Sequence, residues 1–211
     1  YHERSIHADL ALALALESQA GLREDLRILL MSATLDGAGL AAFLGAAPLV
    51  KSEGRSYPVE LEYLSEFRQF PAGARAISEA VVPVIKKALR ENAGDVLVFL
   101  PGVGEIRRSS DALQSDDPGS PEILPLYGDL SQQEQDRALR PAKQGRRRVI
   151  LATPIAETSL TIEGIQVVVD SGQARSPRFD PRTGLDRLET APVSVDSAEQ
   201  RAGRAGRLGP G

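Results

Sequence analysis

The chain has 211 residues, with 25 Lys and Arg against 29 Asp and Glu and a formal net charge of −4. The absence of cysteine excludes a disulfide scaffold and a thiolate zinc site, and the absence of tryptophan makes base stacking by aromatics a minor device. The acidic balance excludes a generic electrostatic nucleic-acid binder, which needs cations to neutralise phosphates.

Residues 8–19 are rich in alanine and leucine and predict a helix, with Gly21 as its stop. Residues 26–31 read as a buried strand, 40–44 as a short helix and 48–51 as a short strand. The stretch SEGRSYP at 52–58 interrupts both periods and marks a domain boundary. Beyond it, 77–90 predict a helix, and VLVFL at 96–100 predicts a strand buried on both faces and ended by Pro101 and Gly102. Further strands are expected at 122–126, 148–151 and 167–170, with helices near 131–139 and after Pro154. This alternation predicts an α/β fold with one parallel sheet and crossover helices. Residues 173–193, where Pro177, Asp180, Pro181, Thr183 and Gly184 punctuate short alternating pieces, predict a hairpin. No apolar run reaches the ~18 to 20 residues of a membrane helix, and the start lacks a leader pattern, so a cytoplasmic location is expected.

Positive charge is local. Arg140, Lys143, Arg146, Arg147 and Arg148 cluster, and Arg175, Arg178, Arg182 and Arg187 follow. A nucleic-acid track built from them is a narrow strip; the alternative for Arg146 to Arg148 is an exposed lead into a strand. The string QRAGRAGR, Gln200 to Arg207, sets three arginines three residues apart. On a helix they form one stripe, Gly203 and Gly206 clear space beside it, and guanidinium forks suit phosphoryl oxygens. The alternative is a solvated arginine run. Ser32 and Thr34 follow a predicted strand, either as a helix cap or at the ligand-binding carboxyl edge of a sheet. Thr153 has a similar place after 148–151, where hydroxyls and amides at a helix start suit a phosphate. His2 and His7 make a poor metal cluster, and no metal site is expected within the chain.

QRAGRAGR resembles motif VI of the DEAH-box branch of superfamily 2 RNA helicases, and other pieces follow in that family's order. YHERS at 1–5 resembles the end of motif II, SAT at 32–34 motif III, VFLPG at 98–102 motif IV and ATPIAETSLTI at 152–162 motif V. FLPGVGEI, LYGDLS and RFDPRTGL are most similar to the bacterial HrpB-type members. The resemblance implies a RecA-like (P-loop NTPase-type) domain 2 over 59–211 with an inserted β-hairpin beside RNA. Before it come a linker at 53–58 and the C-terminal part of RecA-like domain 1 over 1–52.

The activity implied is that of an ATP-dependent RNA helicase, using ATP with Mg²⁺, moving 3′ to 5′ on single-stranded or structured RNA. Arg204 and Arg207 are the implied contacts to the terminal phosphates, Gln200 helps to place the attacking water, and His2 bridges toward Gln200. Arg201 serves structure or domain contact. Glu163 lies where many members carry Asp, on the nucleotide side. Gly102, Thr153, Ser159 and Thr161 contact the RNA backbone, and Ser32 and Thr34 couple the two sites. Pro154 departs from the family's usual asparagine and removes an amide and a backbone donor. The GxxxxGK[ST] phosphate loop and the Asp and Glu of motif II are not in this sequence, so the chain by itself is expected to show only background ATP hydrolysis. A DNA-directed motor and a non-catalytic α/β interaction module are the alternatives.

Overall fold

The computed structural model describes residues 6–31, 37–51, 57–64, 73–115, 117, 119–141, 146–158 and 162–211. The chain divides into two compact units, Tyr1–Glu53 and Gly54–Gly211.

The first unit contains α1 (Ile6–Gly21) and α2 (Gly37–Phe43). Leu12 is the buried residue of α1, and the Gln19 amide donates to the Leu26 carbonyl at 2.6 Å. The expected strands at 26–31 and 48–51 are not in a sheet among the described residues. An apolar run supplies the side-chain pattern of a strand, but the strand exists only when another backbone accepts its amides. Leu29 and Met31 accordingly remain largely exposed.

The second unit is built on β1 (Asp95–Phe99), β2 (Glu122–Leu126), β3 (Arg148–Ala152) and β4 (Ile165–Asp170), all parallel in the order β2-β3-β1-β4. Every residue of β1 and β3 is buried, as expected of central strands covered on both faces. Alternation sorts the side chains: Val96, Val98 and Leu100 face α3 (Ala74–Glu91) and α4 (Val103–Leu113), while Leu97 and Phe99 face α5 (Gln132–Leu139) and α6 (Ile155–Thr158). Pro125 is tolerated because β2 is an edge strand. The α5 helix starts on a capping box, with the Ser131 side chain accepting from the Glu134 amide and Glu134 returning to the Ser131 backbone.

The α4 helix is absent from the sequence-based expectations. Its inner face is partly polar, Glu105 and Ser109 being buried with Ile106 and Leu113, so it lacks a continuous apolar stripe. After β4 the chain forms the antiparallel hairpin β5 (Gln173–Asp180) and β6 (Leu185–Pro192), then α7 (Val195–Ala202). The segment from Tyr57 to Glu60 closes the unit against its far end: Tyr57 N donates to Gly206 O at 2.9 Å, Gly211 N to Pro58 O at 3.1 Å and Glu60 N to Gly211 O at 2.8 Å.

Candidate functional site at the carboxyl edge of the sheet

Ser194 caps α7 by accepting from the Ser197 amide, and the helix ends at Ala202. The chain then winds on through three-residue turns, Arg204 N to Arg201 O at 3.1 Å and Ala205 N to Ala202 O at 3.0 Å. The expected single stripe of arginines is not formed. Arg201 is 1% exposed, Arg204 is 5% exposed and Arg207 is exposed. At about 100° per residue, three-residue steps drift by roughly 60°, so Arg201 and Arg207 point some 120° apart even on a regular helix. Gly206 is also reassigned: a Cβ there would stand 2.6 Å from Tyr57 O and 2.7 Å from Val59 Cγ2, so the glycine admits the returning 57–60 backbone and not a polyphosphate.

Arg201 is the hub of this edge. Its Nε donates to Glu157 Oε2 at 2.9 Å, and its Nη1 donates to Asp170 Oδ1 at 2.9 Å and to Gln173 O at 3.3 Å. The guanidinium also lies 4.9 Å from the Phe99 ring centroid, close enough for a cation–π contact. Four elements, β1, α6, β4 and β5, are thereby tied to α7. Two carboxylates around one cation make Arg201 a structural residue, in line with the role its sequence position implied.

Arg204 differs. Its Nη2 donates to the Glu157 carbonyl, while the Glu157 carboxylate is engaged by Arg201. Burial, and then the neighbouring Arg207 charge, lower the Arg204 pKa to about 10, with Glu157 opposing the shift. A guanidinium destabilised in its charged form by desolvation is a group that gains from an arriving anion. Gln200, half-buried, precedes this pair on α7.

Thr153 lies on the same edge, just past β3. Its amide is spent on Leu126 O at 3.1 Å and its carbonyl accepts from Ala156, which leaves the hydroxyl as its group for a ligand. Pro154 opens the four-residue α6, its carbonyl accepting from Glu157 N at 2.8 Å. Gly102 caps α4 and is buried beneath Arg175, whose Nη1 would be 2.7 Å from a Cβ.

Glu163 is not brought to the arginines. It sits before β4 at the amino edge, where its carbonyl accepts from Arg148 Nη2 at 2.6 Å. Its side chain lines an open groove with Asp136, Leu139, Arg140 and Pro141. Arg148 also pairs with Asp95 at 2.7 Å and donates to the carbonyls of Ala138 and Arg140. Arg147 bonds Gly94 O at 2.7 Å and Leu89 O at 2.6 Å, and Arg146 bonds Ser120 O at 3.0 Å. Arg147 and Arg148 therefore cap internal carbonyls, while Arg146 stays exposed, so only the first of the three fits an exposed lead into β3.

His2, Ser32, Thr34, Ser159 and Thr161 lie outside the described residues. Sequence reasoning missed Glu157 and Asp170 as partners of Arg201, the Glu105–Arg175 pair, and the groove beside Glu163. The available signal for Asp170 was an acidic residue ending a strand, which places it on the carboxyl edge.

An open parallel sheet with helices on both faces, and phosphate-suited arginines gathered at its carboxyl edge, defines a RecA-like motor-domain class. Residues 78–209 match the family model of the helicase conserved C-terminal domain, and the chain belongs to that family. It is 56% identical over 211 residues to the ATP-dependent RNA helicase HrpB of Escherichia coli (strain K12), covering all of this chain and 26% of the relative. It is 41% identical over 216 residues to the pre-mRNA-splicing factor ATP-dependent RNA helicase prp22 of Schizosaccharomyces pombe, covering all of this chain and 18% of that protein. The crystal structure of the Escherichia coli DEAH/RHA helicase HrpB matches with a TM-score of 0.83 and 54% identity, over all of this chain and 26% of that one. The chain thus spans about a quarter or less of the relatives' length, and the DEAH-box, HrpB-type resemblance read from its motifs is borne out. No described helix is long and apolar enough to cross a membrane.

Proposed function

We propose that these residues carry the second motor domain of an ATP-dependent RNA helicase at 59–211, preceded by a linker at 53–58 and the end of the first motor domain at 1–52. The observation that carries this reading is the buried Arg204, set beside the Arg207 charge at the sheet edge that Arg201 frames. Arg201 fixes the frame, and Arg204, with Arg207 beside it, offers cations to a phosphate. ATP with Mg²⁺ supplies the phosphoryl group whose hydrolysis drives motion. The chain's own share is to neutralise charge developing on the terminal phosphate through Arg204 and Arg207, with Gln200 orienting water and His2 proposed as a further catalytic residue. The metal-holding carboxylates and the phosphate loop are not among these residues, so closure of two domains completes the site and links turnover to movement.

Glu163, at the amino edge and away from Arg204 and Arg207, is given no nucleotide role in this reading. RNA-backbone contacts are assigned to Thr153, Ser159 and Thr161 and to the Gly102 turn, and coupling of the two sites to Ser32 and Thr34. The test is steady-state ATP hydrolysis by the full-length protein with and without single-stranded RNA. RNA-stimulated turnover that Arg204→Ala abolishes supports the reading, and absence of such stimulation in the wild type sinks it.

A further inference from the structure

The β5–β6 hairpin is anchored at its base: Gln173 is buried, whereas the rest of both strands is half-buried or exposed. Its direction is therefore set by root contacts. Arg175, two residues into β5, donates from Nε to Thr190 Oγ1 at 3.4 Å across the ladder and from Nη2 to Glu105 Oε1 at 3.0 Å. The Glu105 side chain, in the first turn of α4, is 1% exposed and that of Arg175 is 35% exposed. Ser78 Oγ holds the Glu105 carbonyl at 3.2 Å, and Ser109 Oγ donates to Ser78 Oγ at 3.2 Å, so the backbone under the carboxylate is fixed. Gly102 has an extended φ of −168°, open to any residue, and its bare Cα lets the Arg175–Glu105 pair lie close: a Cβ would meet Arg175 Nη1 at 2.7 Å and Glu105 Oε2 at 3.2 Å and would push the arginine tip aside.

Glu105 Oε2 is buried with no hydrogen-bond partner among the described residues, which makes Arg175 the neutralising group for a carboxylate that burial would otherwise disfavour. A buried ion pair of this kind adds little net stability over an apolar replacement. Its effect is geometric.

We propose that Glu105 is a positioning residue, which through Arg175 locks the hairpin root to the turn at Pro101–Gly102 and so holds the hairpin at a fixed angle while a nucleic-acid strand is drawn past it. The inference rests on the reading above that this hairpin lies beside RNA. Loss of the pair lets the hairpin swing, so fewer base pairs are separated per ATP, while hydrolysis, which depends on α7 and the turn after it, continues.

The experiment compares full-length wild type, Glu105→Gln, Arg175→Gln and the double variant. Amide exchange over 174–191, RNA-stimulated ATP turnover, and duplex separated per ATP are measured. Each single change is expected to speed hairpin exchange and lower separation per ATP about tenfold, with turnover within about twofold and the double variant no worse than either single. The proposal is overturned if hairpin exchange and separation per ATP in the singles match wild type, or if the double variant shows the product of the two single losses. Arg175→Lys keeps the cation and should retain more separation than Arg175→Gln; equality of the two also overturns the proposal, and this pair carries the comparison if Glu105→Gln does not fold. A wild type without RNA-stimulated turnover removes the helicase reading, and the exchange measurements still decide whether Glu105 and Arg175 act together on the hairpin.

Discussion

At the amino edge of the sheet, Arg148 gives its donors to Asp95 and to the carbonyls of Ala138, Arg140 and Glu163. At the carboxyl edge, Arg201 is equally buried and equally committed, to Glu157, Asp170 and the Gln173 carbonyl. Arg204, three residues on, is buried beside a second arginine: its Nη2 donates to the Glu157 carbonyl, and its pKa falls to about 10 through burial and Arg207. Gly164 shows how closely the amino edge is built: at φ +87° its Cβ would stand 2.9 Å from Asp95 Oδ2, so a side chain there would disturb the Asp95–Arg148 pair. The difference teaches that an arginine's function is read from what satisfies it. A guanidinium held between carboxylates fixes a fold, and one whose charge is disfavoured by burial and a neighbouring cation gains from an anion.

The sharpest way to break this comparison is Arg204→Ala. In the full-length protein it should lower ATP turnover by about a thousandfold, the scale of a lost arginine finger, while costing about 1 to 2 kcal/mol of unfolding free energy, less than the loss of the Arg148 pair. Turnover assays beside denaturant titrations check both halves. Arg148→Met should show the reverse pattern. Leaving Asp95 buried without its cation should cost about 3–5 kcal/mol of stability, seen as a lower denaturant midpoint; an unchanged midpoint would mean that the amino edge does not rest on this pair.

Gly206→Ala probes the closing segment 57–60 with a smaller effect. Its Cβ would overlap Tyr57 O, so overpacking should destabilise the second unit by about 1–3 kcal/mol and speed amide exchange at Tyr57 and Glu60. Normal protection of those amides would remove the packing explanation for the glycine.

Ser131→Ala is the mildest change, about 1 kcal/mol for loss of a helix cap, and it carries a pH signature. Side-chain and backbone hydrogen bonds from Ser131 hold the Glu134 carboxyl below the ordinary glutamate range. A depressed carboxylate stabilises the fold above its unfolded pKa, and that share is lost as pH falls through the folded value. The cost of Ser131→Ala should therefore be full at neutral pH and shrink in acid; a gap independent of pH would mean that the Glu134 half of the box contributes nothing.

Much of the second unit was legible because its signals are local. VLVFL alternates onto two cores, the strands at Glu122, Arg148 and Val167 begin within two residues of their observed starts, and the helix expected near 131–139 is α5. The α4 helix was illegible because its buried side includes Glu105 and Ser109, which make sense only beside Arg175 and Ser78. The segment 26–31 misled because apolar alternation cannot supply a neighbouring strand. At the site, motif order pointed to the arginines of QRAGRAGR, but not to which of them are buried.

The sequence by itself determined the α/β alternation, the hairpin and the helicase family, since each rests on period, turn chemistry or motif order along the chain. Only the tertiary structure decided that Arg148 is structural, which carboxylates hold Arg201, that Arg204 is desolvated, that Gly206 makes room for Tyr57 and that Arg175 meets Glu105. Those outcomes depend on residues 31 to 149 positions apart being brought within hydrogen-bonding or van der Waals reach, where burial and the nearest opposite charge set what each group can do.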